Sequence, residues 1–166
     1  MLTTFIKATD FTECQRLFHG RGHAYPDLSH VNVDWFSPVI LITLYQEVSP
    51  DWLMAQAEEL MTITTQCSSV QVQYRCRKLA PTEVLIGENV LHTVVKELAL
   101  SYNINFGKTQ NSGLFLDMSN GRRWVMAHAR NKNILNLFAY TCPFSLVAVA
   151  GGAKQVVNID ISKASL

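Results

Sequence analysis

The sequence predicts an α/β chain: an N-terminal α+β domain over residues 1–107, then a βαβ unit of a parallel sheet over residues 108–166. Three observations carry this. Ile134-Leu-Asn-Leu-Phe138 is a short apolar run that reads as a strand. A helix of small residues from Phe144 to Ala150 follows a short turn and ends on Gly151-Gly152. Val156-Val-Asn-Ile-Asp160 is then a second strand, and strand, helix, strand at this spacing is the parallel crossover.

Upstream, each element has its own signal. Asp10 and Glu13 have the spacing of a capping box, with Phe11, Cys14, Leu17 and Phe18 at helical spacing behind it, so a helix is expected there, ending near Gly20 or Gly22. Residues 20–30 read as a loop. Val39 to Tyr45 is rich in β-branched and aromatic residues and reads as a buried strand. Ser49-Pro50-Asp51 starts a helix whose inward stripe is Leu53, Ala57, Leu60, Met61 and Thr64. Val70, Val72, Tyr74 and Cys76 alternate with Gln71, Gln73, Arg75 and Arg77, the pattern of a half-exposed strand. Residues 83–87 and 100–106 read as two further strands, and a helix is expected from about Asp117 to Arg130.

Composition bounds the function. The chain is 48% hydrophobic and 16% charged, which supports a packed core and excludes a disordered segment. A formal net charge of +1 shows no bulk basic character of the kind nucleic-acid binders carry, although a local patch is compatible with it. No apolar run approaches the length of a membrane span, and the N-terminus lacks the pattern of a secretory signal, so a cytoplasmic protein with no membrane partner is expected. Cys14, Cys67, Cys76 and Cys142 are scattered with no CxxC pair, so reduced thiols are expected, with neither a disulfide nor a zinc site.

The βαβ unit points to a ligand. Ligands of parallel sheets bind outside the C-terminal ends of the strands, where the turn from Ala139 to Phe144 falls. Asp160 ends the second strand and can accept both hydroxyls of a ribose; an acid there can equally cap a following helix. Thr141-Cys142-Pro143 offers no glycine where a pyrophosphate would approach, which argues against NAD and FAD and disfavours an oxidoreductase. A site for S-adenosylmethionine needs no pyrophosphate contact.

The blocks Asn136-Leu-Phe-Ala-Tyr-Thr-Cys-Pro-Phe-Ser145, Gly151-Gly152-Ala153 and Val157-Asn-Ile-Asp-Ile-Ser-Lys163 resemble the cofactor region of class I S-adenosylmethionine-dependent methyltransferases of the bacterial large-subunit ribosomal RNA type. Gly113-Leu-Phe-Leu-Asp117 and Arg122 resemble the segment before the first sheet strand of the same family. The resemblance implies a Rossmann-like methyltransferase sheet of which this chain carries the first βαβ unit, S-adenosylmethionine as cofactor, and RNA methylation, with ribosomal RNA as partner. It implies cofactor-binding roles for Asn136, Phe138, Tyr140, Thr141, Cys142, Phe144, Ser145, Asp160, Ser162, Asp117 and Arg122. Cys142 stands where the family usually has Gly, and Met118 where Gln is common, so the turn is expected to be tighter or shifted and one polar partner to be lost. The family's catalytic loop lies well beyond the second strand, so catalytic residues are expected after Leu166, and these 166 residues alone are expected to be inactive and to self-associate through uncovered strands. The alternative is a non-catalytic α/β fragment that self-associates.

Other constellations are weaker. His19 and His23 have the spacing of a helical metal pair, but glycines interrupt them and no acid or Cys completes a set, so no metal is expected. Arg75, Arg77 and Lys78, with Arg16 and Arg21, read first as the solvated side of a sheet and second as phosphate contacts. Tyr74 and Trp35 read as core before stacking surface. Cys142 has no base or cation near it in sequence and reads as a packing residue.

Overall fold

The computed structural model describes residues 1–8, 10–22, 24–107 and 110–162. Of the residues singled out above, His23, Lys108, Lys163 and Leu166 lie outside these. The chain divides into two compact units, one of Met1–Glu97 and Ser101–Ser112, the other of Leu98–Leu100 and Gly113–Leu166.

The first unit is built on a five-stranded sheet in the order β1-β2-β3-β4-β5. The strands are β1 (Gln15–His19), β2 (Val31–Phe36), β3 (Val39–Leu44), β4 (Ser69–Tyr74) and β5 (Thr82–Gly87). Helix α1 (Pro50–Met61) joins β3 to β4, which are parallel; the other neighbours pair antiparallel. One sheet face and the α1 stripe form the core, with Val33, Trp35, Ile40, Ile42, Val70 and Val72 against Leu53, Ala57 and Leu60. Full burial of a side chain such as Ile40 or Ile42 contributes about 1.5–3 kcal/mol, which is what holds α1 on the sheet. Trp35 and Tyr74 are buried in this core. Strands β6 (His92–Glu97) and β7 (Leu100–Asn105) pair as a separate two-stranded sheet.

Three expectations fail here. The segment behind Asp10 is not a helix. Asp10 Oδ1 accepts from the Thr12 amide at 2.8 Å, an Asx turn, and Gln15–His19 then pairs with β2. A bulge between Arg16 and Phe18 turns both Leu17 and Phe18 inward, and that doubled apolar pair is what imitates helical spacing. Nor is β4 half-exposed: Gln71 and Gln73 are buried, as are Val70 and Val72. Gln71 Nε2 donates to the Val90 carbonyl at 2.8 Å and Gln73 Oε1 accepts from Arg75 Nε at 2.9 Å, so the second sheet face is covered and its amides bonded. Arg75, Arg77 and Lys78 follow β4 in a turn and do not share a strand face. Arg77 pairs with Glu47 at 2.7 Å over the Tyr74 ring, and Arg16 pairs with Asp34 at 2.8 Å.

The second unit holds a 3-10 turn (Leu116–Met118), α2 (Ser119–His128), β8 (Asn133–Leu137), α3 (Pro143–Ala150) and β9 (Gln155–Ile159). The expected single helix from Asp117 to Arg130 is thus a 3-10 turn and a shorter helix. β8 and β9 are parallel, Asn133 beside Gln155 through Leu137 beside Ile159, so the βαβ unit read from the sequence is present. Gly152, at φ +84°, ends α3, while Gly151 lies where α3 meets α2 and a Cβ would come within 2.2 Å of the Met126 carbonyl oxygen. No helix of the described residues is long and apolar enough to cross a membrane.

Candidate functional site

The turn between β8 and α3 is strained. Phe138, Tyr140 and Cys142 take left-handed φ values of +55°, +50° and +60°, conformations that cost a non-glycine residue about 1–2 kcal/mol each. Such a cluster persists only because the surroundings hold it, and the holding bonds are visible. The Asp160 carboxylate accepts the Tyr140 amide through Oδ2 at 2.7 Å and the Ser162 amide through Oδ1 at 2.8 Å. The Ala139 amide donates to Ile159 O at 3.2 Å, and Thr141 Oγ1 donates to Gly113 O at 2.5 Å. Tyr140 also lies beside the Phe115 ring, centroids 5.4 Å apart.

Beneath the turn is a polar triad. Asn136 Nδ2 donates to Ser145 Oγ at 2.8 Å and to Asn158 Oδ1 at 3.2 Å, and Ser145 Oγ also bonds Asn158 Oδ1. These three tie β8, α3 and β9 together, so Asn136 and Ser145 support the turn from below. Phe138 is 90% exposed at the open side. The Phe144 ring lies against α2, within 3.5 Å of where a Gly121 Cβ would stand. Arg122 is buried, and its Nη1 donates to Phe115 O at 2.8 Å, which fixes the lead-in.

The structure therefore brings Tyr140, Asp160 and Ser162 into direct contact, and Asn136 with Ser145, whereas Asp117 stays exposed in the 3-10 turn. Asn158, Gly113 and Phe115 belong to the same assembly and are not among the site residues expected from the sequence. A signal for Asn158 exists: it is a polar residue inside an apolar strand, opposite Asn136 in register.

Electrostatics follow the hydrogen bonds. The Ser162 amide, then the Tyr140 amide, hold the Asp160 carboxyl below its usual range, so it is ionised at neutral pH. Burial, then the Asp160 charge, push the Cys142 thiol up, so Cys142 is a neutral thiol and no nucleophile at pH 7. Cys142 nevertheless keeps the left-handed backbone that glycine adopts at least cost. Among the described residues no three His, Cys, Asp or Glu are gathered where a metal ion could be held.

The sequence model of the S-adenosylmethionine-dependent methyltransferase family matches residues 15–166. The chain belongs to that family. Among curated relatives, it is 32% identical over 143 residues to the ribosomal RNA large subunit methyltransferase I of Alteromonas mediterranea, a match covering 78% of this chain and 36% of that protein. It is 41% identical over 70 residues to the ribosomal RNA large subunit methyltransferase K/L of a Psychrobacter species, covering 42% of this chain and 9% of that protein. A Streptococcus mutans structure described as an S-adenosylmethionine-dependent methyltransferase superposes with a TM-score of 0.80 at 23% identity, over 99% of this chain and 46% of that one, which shows the shared fold. The chain spans well under two thirds of the length of each.

Proposed function

We propose that this methyltransferase-family chain binds S-adenosylmethionine at the strained turn and Asp160, and that it serves methylation of ribosomal RNA in the cytoplasm. The observation that carries the reading is the Asp160 carboxylate, ionised at the C-terminal end of β9 and bonded to the Tyr140 amide. The Tyr140, Ser162 and Ile161 amides use part of its acceptor capacity; a carboxylate has about four lone-pair positions, so one remains for a ribose hydroxyl. The residues fit the cofactor. The α3 N-terminus offers amides and a positive dipole end to the methionine carboxylate, and Phe138 offers an exposed ring to the adenine. Asn136, Ser145, Asn158, Thr141 and Arg122 hold the turn and its lead-in in place. Cys142, Phe144 and Ser162 line or brace the same region, while Asp117 stands exposed in the 3-10 turn of the lead-in. When bound, the cofactor supplies an electrophilic methyl group; the chain's residues bind and orient it and exclude water. RNA as substrate rests on the names of the two relatives above, both ribosomal RNA methyltransferases.

Calorimetric titration of the chain with S-adenosylmethionine tests the reading. Asp160→Asn is expected to weaken binding at least about tenfold, the loss of a charge-assisted hydrogen bond to the ribose. Equal affinity would remove Asp160 from the site, and no binding by the unaltered chain would end the proposal.

We further propose that the chain self-associates. Leu135, Leu137, Val157 and Ile159, on β8 and β9, are exposed, and contiguous apolar surface of this kind seeks cover. Light scattering is expected to give an oligomer that Leu135→Arg disperses; a monomer at high concentration refutes it.

A further inference from the structure

The outer face of α2 has a character unlike the rest of the unit. From Met118 to Ile159 the chain has no Asp or Glu, while it carries Arg122, Arg123, Arg130, Lys132 and Lys154. Arg122 is buried and committed to Phe115; the other four are exposed and in no ion pair among the described residues. Between them stands Trp124, 62% exposed on a helix face it shares with His128, one residue on from Arg123.

The indole is not loose. The His128 ring stacks on it, centroids 4.4 Å apart and planes within 19°. His128 Nδ1 lies 2.8 Å from the Trp124 carbonyl oxygen, and because a carbonyl only accepts, Nδ1 carries the proton and donates. The result is a preformed two-ring plate facing solvent. Backbone bonds gather three of the cations at one edge of the unit, two residues on from His128 in the chain. The Asn131 amide donates to Gly152 O at 2.9 Å, and the Lys154 amide to Lys132 O at 2.9 Å. Arg130, Lys132 and Lys154 therefore share the edge where β8 and β9 begin, the opposite end of the strands from Asp160.

An exposed aromatic plate flanked by unpaired cations suits one class of ligand best. Phosphates supply the charge complement, and an unpaired base supplies a flat face for the indole. A duplex hides its base faces, and a lipid surface calls for a broad apolar stripe, whereas this face has one aromatic pair set among charges. We infer that Trp124 and His128, with Arg123, Arg130, Lys132 and Lys154, hold a single-stranded segment of RNA away from the cofactor turn. The inference rests on the reading of the chain as an RNA methyltransferase, and it adds a second contact, which anchors the substrate while another part of it reaches the turn.

Fluorescence anisotropy with a labelled mixed-sequence single-stranded RNA of about 12 nucleotides tests this, on the 166-residue chain, with S-adenosylmethionine titrated in parallel. Trp124→Ala is expected to weaken RNA binding about tenfold and Trp124→Phe less, stacking on a ring being retained. The double variant Lys132→Gln with Lys154→Gln is expected to flatten the dependence of log affinity on log salt by about 1.4, at about 0.7 for each phosphate no longer neutralised. S-adenosylmethionine affinity should stay unchanged in all of them. RNA binding that is absent, or indifferent to these substitutions in both affinity and salt slope, overturns the inference. So does equal competition by poly-glutamate or by phosphatidylserine vesicles, which would make the face a general polyanion surface. Failure of the unaltered chain to bind S-adenosylmethionine would strike the parent reading, and the RNA titrations would still decide this one.

Discussion

Replacing Gly151 by Ala tests how closely α3 is packed on α2. The added Cβ would lie 2.2 Å from the Met126 carbonyl oxygen and 3.0 Å from its carbon, both backbone atoms of α2. No side chain can swing away to relieve this, so α2 and α3 must separate by roughly 1 Å, which forfeits about a quarter to a half of the dispersion energy along their seam. The cost belongs at the upper end of the about 1–3 kcal/mol typical of overpacking. Gly152 is the control. Its φ of +84° penalises Ala, but a Cβ there meets only Arg130 side-chain and backbone atoms at 3.6 Å or more. The left-handed penalty of about 1–2 kcal/mol is partly offset by about 0.4–1 kcal/mol of reduced unfolded-state entropy. Gly151→Ala should therefore lower stability by about 1–2 kcal/mol more than Gly152→Ala. Urea unfolding followed by far-ultraviolet circular dichroism measures both. Equal midpoints, or a costlier Gly152→Ala, would refute the close-approach argument.

Further outcomes are expected. Asn32 is 3% exposed and its Oδ1 has no hydrogen-bond partner among the described residues, so Asn32→Leu should raise stability by about 1 kcal/mol, and a fall in the urea midpoint would show that the amide is needed. Cys142→Gly should stabilise the turn by about 0.5–1 kcal/mol, the relief of left-handed strain exceeding the entropy glycine adds to the unfolded chain; a loss in thermal melting would contradict it. The Asp160 carboxyl is lowered from 3.8, so the stability it lends is present above that value and lost as pH falls through its lowered one. A pH titration of unfolding should show an acid limb that Asp160→Asn diminishes, and an unchanged limb would assign it to other groups.

The C-terminal unit is readable because its signals are local. Apolar runs from Ile134 and Val156, small residues between them and the Gly151-Gly152 pair each specify their own element, and the parallel crossover follows. Of the candidate site, the turn and the position of Asp160 after the second strand are legible in the sequence. Its bracing is not, because the Asn136, Ser145 and Asn158 bonds span three elements whose register only the fold sets. The N-terminal unit misleads for physical reasons. A bulge breaks the alternation of β1, and cover over the second sheet face buries Gln71 and Gln73, which look solvated in the sequence. Val31-Asn-Val-Asp-Trp35 does carry a strand's alternation, but it sits between two loop signals that obscure it, and His92–Glu97 is too short and polar to stand out.

The position of β3 inside its sheet has a consequence for hydrogen exchange. All of Val39–Leu44 is buried and paired on both sides, so its amides can exchange with deuterium only when the first unit opens as a whole. β8 and β9 pair only with each other among the described residues, so each keeps a free edge and should surrender its protons through smaller openings. Protection would then be graded along the chain, slowest at residues 39–44 and faster at 133–159. A nucleoside ligand seated at the turn would slow exchange in the second stretch and leave the first where it was, so deuterium uptake with and without S-adenosylmethionine would map the site peptide by peptide.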